Sequence, residues 1–213
     1  MAVLSKNKIL ERMNKDVDDR EGLVITPILD PKSAFDADSV DLRLGCHFLL
    51  PKSQQPVYSP DEDSSTSLHD PVHVPWGEYL VVPAHQTVLG VTLEFIKMPY
   101  DVSGQILTKS SVARTFIVIE TAPWIHPLYR GCLTLEIANV SNTPVLLYPG
   151  RLIGQLVLLA VDGASKTARE DPTYFGPTSP EAPRFDNPEN ELFAIGVPKV
   201  SVFRRQRISP SSK

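Results

Sequence analysis

Between Lys109 and Arg114 the chain sets two hydroxyls and two small apolar residues among cations, in the order Lys109, Ser110, Ser111, Val112, Ala113, Arg114. Folded as a short helical turn, this stretch offers backbone N–H groups, two hydroxyl donors and two positive charges to one anion, and a polyphosphate suits that set. The same six residues also read as an ordinary capped turn with solvated cations. Farther along, residues 131–139 alternate as a strand, with Cys132, Thr134, Glu136 and Ala138 on one face and Leu133, Leu135 and Ile137 on the other. Glu136 is then either a solvated strand carboxylate or, beside an anion corner, a group able to take and return protons.

A β scaffold is needed to hold these residues, and the surrounding sequence supplies one. Short apolar or alternating runs bounded by turn residues read as strands over 79–82, 87–95, 102–107, 116–119, 133–139, 145–148 and 152–159. With almost no helix between them, they predict a mainly β chain, a barrel or sandwich of the jelly-roll kind. Ahead of them, Ile9, Leu10 and Met13 at helical spacing behind Ser5 predict one short amphipathic helix over 5–14. A strand over 23–28 is held to a sheet edge by Pro27. In the strand over 39–44, Val40, Leu42 and Leu44 share the buried face, and Asp41 and Arg43 opposite them read as an ion pair, within the fold in preference to between subunits. Residues 51–77, rich in Pro, Ser, Asp and Gln, read as a long loop or lid.

Bulk properties narrow the function classes. At 213 residues a single domain is expected, long enough to bury a core. Lys and Arg total 21 against 25 Asp and Glu, a net charge of -4, so nothing pulls the chain as a whole toward nucleic acid. The two cysteines, Cys46 and Cys132, lie far apart, which predicts a reducing compartment and no zinc site. No apolar run reaches the ~20 residues that span a bilayer, and the first residues lack a signal-peptide core, so a soluble cytoplasmic protein is expected. Beyond Ala160 the composition turns to Pro, Asp, Glu and Ser, then to an apolar piece over 192–202 and a basic end at Arg204, Arg205 and Arg207. A solvated tail is one reading of that end.

Several of these pieces together resemble the dCTP deaminase branch of the dUTPase superfamily. They are Ser-Ser-x-Ala-Arg from Ser110, Ile-x-Pro-x-Tyr-Arg-Gly from Ile125, the Leu135–Glu136 strand and Pro-Gly-x-x-Ile-Gly-Gln-Leu from Pro149. Ser39-Val40-Asp41-Leu42-Arg43-Leu44-Gly45 and Val91-Thr92-Leu93-Glu94 agree with them, and the resemblance runs from Leu4 to Ala160 and weakly to Tyr174. It implies a distorted jelly roll, the β-clip barrel of the dUTPase type, over 1–160, and a partly ordered tail over 161–213 that serves as an active-site lid. It also implies a homotrimer with sites at subunit contacts, acting on a pyrimidine deoxynucleoside triphosphate without nucleic acid or membrane partners.

The implied reaction is hydrolytic deamination of dCTP to dUTP and ammonia, without zinc, with Mg²⁺ carried on the triphosphate. Glu136 corresponds to the proton-shuttling acid, and Ser110 and Arg114 to the residues that position the attacking water. Lys109 and Ser111 surround the phosphates, Gln155 lies near them, Thr121 and Ala122 meet the base edge, and Tyr129 and His126 stand near the sugar. Tyr174 corresponds to the closing tail. Four departures stand out. Lys109 replaces the usual Arg, His126 the usual Asp, and Trp124 another usual Arg; the stretch between Arg114 and Thr121 is also one residue short. Other functions stay open: a bifunctional dCTP deaminase and dUTP diphosphatase or a dUTPase, or a retuned relative that binds or acts on another pyrimidine nucleotide.

Overall fold

Alternation along the strands sorts the side chains into two sheets that share one core. The computed structural model describes residues 2–52, 68–120, 123–165 and 176–182. Contacts divide the chain into a larger unit, Met1–Leu50 with Pro71–Glu181, and a smaller one, Pro51–Asp70 with Ala182–Lys213. In the smaller unit the Lys52 N–H donates to the Leu68 carbonyl at 2.9 Å, and the Lys52 ammonium stands 3.8 Å from the Asp70 carboxylate.

The elements in chain order are β1 (Ala2–Val3), α1 (Lys6–Met13), β2 (Val24–Thr26), β3 (Ser39–Arg43), β4 (His47–Pro51), β5 (His69–His73), β6 (Leu80–Val82), β7 (Thr87–Lys97), β8 (Val102–Thr108), α2 (Ser110–Ala113), β9 (Ile117–Ile119), β10 (Trp124–Ile125), β11 (Arg130–Asn139), β12 (Val145–Leu147) and β13 (Leu152–Ala160). The first sheet runs β1-β13-β8-β10 with β3 also on β13, and the second runs β5-β4-β7-β11-β9 with β2 on β7. β6 and β12 form a separate antiparallel pair. The fold is mainly β and antiparallel, as the alternation requires.

Val40, Leu42, Ile106, Leu156 and Leu158 of the first sheet meet Phe48, Val88, Ile96, Leu133, Leu135 and Ile137 of the second in one buried cluster. Each such side chain contributes about 1.5–3 kcal/mol when fully withdrawn from water. α1 docks through Ile9, with Leu10 and Met13 packed partly against the same cluster. Ser5 starts that helix with extended backbone and gives its carbonyl to the Ile9 N–H at 3.0 Å, while its hydroxyl makes no cap bond.

Register fixes what the outer face of the first sheet carries. One row is Asp41, Gln155 and Leu107; the next is Ser39, Val157, Gln105 and Trp124. In the second sheet Cys132 faces Phe95 but Thr134 faces Val91, so β7 gains two residues over β11 at that step. Thr92 repairs the gap: its hydroxyl accepts from the Leu133 N–H at 2.9 Å and donates to the Glu94 carbonyl at 2.8 Å. Glu94, 2 % exposed, accepts from the Arg43 N–H at 2.9 Å. Burial pushes its carboxyl up to about 7 against the pull of that hydrogen bond.

Two expectations are corrected. The loop read over 51–77 contains β5, which the sequence hid behind Pro71 and two histidines; as the last strand of its sheet it tolerates a residue that cannot donate to a ladder. Residues 53–67 of that loop lie outside the described residues. Asp41 pairs with Lys109, not with Arg43, whose guanidinium donates to the Gly150 carbonyl at 2.8 Å. Alternate residues on a strand stand about 6–7 Å apart along it, so each of the two acts on a neighbouring segment.

Candidate active site

The hydroxyl and cation turn is α2 with its flanks. Lys109 is its extended N-cap residue, and its carbonyl accepts from the Val112 and Ala113 N–H groups at 2.8 and 2.9 Å. The N–H groups of Ser110 and Ser111 begin the turn and have no partner within it. Ser110, Ser111 and Arg114 are exposed. Helical spacing puts Ser110 and Arg114 on one face and Ser111 and Thr115 on the next. Ser111 and Thr115 line a cavity of about 170 Å³ together with Val112, Ile117, Tyr148 and Arg151. Ser111 is thereby set apart from Ser110 and Arg114, on a cavity that residue order alone did not reveal.

Lys109 points back to the sheet. Its ammonium lies 2.5 Å from the Asp41 carboxylate, whose side chain is 9 % exposed. Gln155 stands directly across from Asp41, and Leu107 across from Gln155. Lys109, Asp41 and Gln155 thus share one side of the first sheet, next in chain to Ser110.

Glu136 lies on β11 opposite Leu89 of β7, and its Oε2 is shielded from solvent. On the other edge the Glu120 N–H donates to the Glu136 carbonyl at 2.8 Å, one step past the Ile119–Ile137 pair. β9 clasps the two candidate pieces together, because the Ile119 N–H donates to the Thr108 hydroxyl at 2.8 Å, two residues before Ser110. The strand bearing the carboxylate and the turn bearing the hydroxyls are therefore held by one short strand. Glu120, which the sequence reading passed over, faces Glu136 across this pair. The available signal was that Glu120 follows directly on the strand read over 116–119, which sets it on the face opposite Ile117 and Ile119.

The sugar-side residues divide. The Tyr129 hydroxyl donates to the Cys132 carbonyl at 2.8 Å, and burial raises its pKa. His126 is exposed on the turn before β11, its carbonyl accepting from the Tyr129 N–H at 3.3 Å. Trp124, 39 % exposed, lies on the outer face of the first sheet across from Gln105. Thr121, Ala122 and Tyr174 lie outside the described residues.

The segment following Tyr174 reaches the strand of Glu136. The Gly176 N–H donates to the Arg130 carbonyl at 2.8 Å, the Cys132 N–H to the Pro177 carbonyl at 2.7 Å, and the Glu181 N–H to the Thr134 hydroxyl at 3.1 Å. Gly131, at φ +145°, permits the approach, since a Cβ there would lie 2.3 Å from Pro177 Cδ. Residues 176–181 so pass along β11 to a side chain two positions from Glu136. Among the described residues no group of three or more His, Cys, Asp or Glu is placed to hold a metal ion. No helix among them is long and apolar enough to cross a membrane.

Comparison with known proteins shows what the chain is similar to. The family described as dCTP deaminase-like matches residues 3–161. A protein of Dictyoglomus thermophilum named "dCTP deaminase, dUMP-forming" is 35 % identical over 147 residues, 68 % of this chain and 76 % of that protein. A Halorubrum lacusprofundi protein named "dCTP deaminase" is 34 % identical over 168 residues, 77 % of this chain and 80 % of the other. The crystal structure of 2'-deoxycytidine 5'-triphosphate deaminase from Agrobacterium tumefaciens superposes with a TM-score of 0.55 at 22 % identity. That match covers 73 % of this chain and 47 % of the other, so this chain spans about half of that one, and the likeness is one of fold. From the matched domain and the extent of identity it follows that the chain belongs to the dCTP deaminase family.

Proposed function

We propose that this chain hydrolytically deaminates dCTP and carries the product on to dUMP, a second water adding at the α-phosphorus as pyrophosphate leaves. The observation that carries the reading is the clasp by β9, which ties Glu136 to the turn of Ser110 and Arg114 inside the matched domain. The name of the Dictyoglomus relative supports dUMP as the product.

Deamination requires water to add at C4 of cytosine, a base to take its proton and an acid to protonate the departing amine. Glu136 serves both turns of that cycle. It takes one proton from water as the oxygen adds at C4 and returns it to the amino group, so the C4–N bond breaks and ammonia leaves; the remaining hydroxyl proton passes to N3 and the uracil carbonyl forms. Ser110 and Arg114 orient the water and steady the developing negative charge. Lys109 and Gln155 face the phosphates, Ser111 contributes from the neighbouring face of α2, and Mg²⁺ arrives as part of the substrate. Thr121 and Ala122 hold the base edge, with Tyr129 and His126 on the sugar side. The tail from Tyr174 closes over the bound nucleotide, and a homotrimer completes three such sites.

Arrest at dUTP is the second reading, favoured by His126 in the place where the family resemblance implies Asp. Incubating the protein with dCTP and following ammonia and pyrophosphate separately tests both. Equal release of the two supports dUMP formation. Ammonia alone supports arrest at dUTP, and neither product removes the deaminase reading.

A further inference from the structure

Asp41 takes no part in the chemistry above, yet its environment is unusual. Its Oδ2 meets the Lys109 ammonium at 2.5 Å, while Oδ1 is closed off from solvent with no hydrogen-bond partner among the described residues. Buried carboxylate oxygens are normally saturated, and leaving one bare is unfavourable. The cluster is therefore short of one donor. Its other members face the same way: Gln155 stands across from Asp41 on the outer side of the first sheet, and Lys109 immediately precedes Ser110.

A lysine on a four-carbon stem holds an anion poorly unless something fixes it, because the bound geometry must be selected from many rotamers. Asp41 removes that freedom before any ligand arrives. We propose that Asp41 is a positioning residue for the triphosphate: through its ion pair it fixes the Lys109 ammonium beside Ser110 before the ligand arrives. The inference rests on the nucleotide reading above. It predicts an effect opposite in sign to plain electrostatics, since deleting a negative charge near an anion site otherwise tightens anion binding.

The test is a double-mutant cycle in the full chain with Asp41→Asn, Lys109→Met and the pair, titrated calorimetrically with sodium tripolyphosphate. Each single variant is expected to weaken binding about tenfold, the scale of a lost charge-assisted contact, with the double variant no more than about twofold weaker than Lys109→Met. KM for dCTP should follow the same order. Wild-type or tighter tripolyphosphate binding by Asp41→Asn overturns the proposal, as do additive losses. Should Asp41→Asn fail to fold, Lys109→Arg, which can keep the pair, must bind near wild type while Lys109→Met does not; equal affinity in those two overturns it. If wild type fails to bind tripolyphosphate the proposal falls. If it binds but releases no ammonia from dCTP, only the deaminase reading falls.

Discussion

Glu94 gives a stability prediction whose sign and size follow from its surroundings. Its carboxyl, 2 % exposed, is pushed from an ordinary value of 4.5 to about 7 by burial, with the Arg43 N–H and guanidinium pulling the other way and the Cys132 thiol nearby. The folded state therefore holds the Glu94 proton more tightly than the unfolded state. Its contribution is fully present below pH 4.5 and lost as pH rises through 7. Between about pH 5.5 and 8.5 that loss comes to roughly 2 kcal/mol, at about 1.4 kcal/mol for each step of one in pH over which only the folded chain keeps the proton. Glu94→Gln keeps an oxygen for the Arg43 N–H and removes the titration. Urea unfolding followed by Trp76 and Trp124 fluorescence, repeated across that range, should give wild-type stability that falls relative to the variant by about this amount. Profiles that stay parallel would show that Glu94 is ionised or solvated throughout and would refute the reasoning.

Gly131→Ala sets a methyl against Pro177 at a backbone angle that side chains disfavour. It should cost about 1–3 kcal/mol of local stability and speed proteolysis within 176–181, read by mass spectrometry of the fragments. Glu120→Gln relieves two carboxylates set across from each other on β9 and β11. It should raise stability in urea at neutral pH by about 0.2–1 kcal/mol. Ile9→Ala empties the contact by which α1 docks on the core and should lower stability by about 2–5 kcal/mol in the same assay.

What the sequence revealed and what it hid have physical reasons. Strands in which apolar residues recur at every second position, such as β3, β8 and β11, write their alternation plainly, and the face of Glu136 followed from it. β5 was invisible because an edge strand accepts Pro71 and polar residues without penalty. β10 is two residues long, too short for any period to appear. The hydroxyl turn was legible as a unit, but not the cavity that Ser111 lines with Val145 and Ile153, which come from distant parts of the chain. Likewise Lys109 and Asp41 stand 68 positions apart, and no local pattern announces a pair that a third strand, β13, brings together. Glu120 gained meaning only once β9 was seen to lie on β11.

The most direct test of the central claim is the rate of ammonia release from dCTP by Glu136→Gln, a change that keeps shape and removes the proton acceptor. The expected result is a loss on the order of 10²–10⁴ in kcat with dCTP still bound, the range for a removed general acid–base group. Release at near the wild-type rate would contradict it.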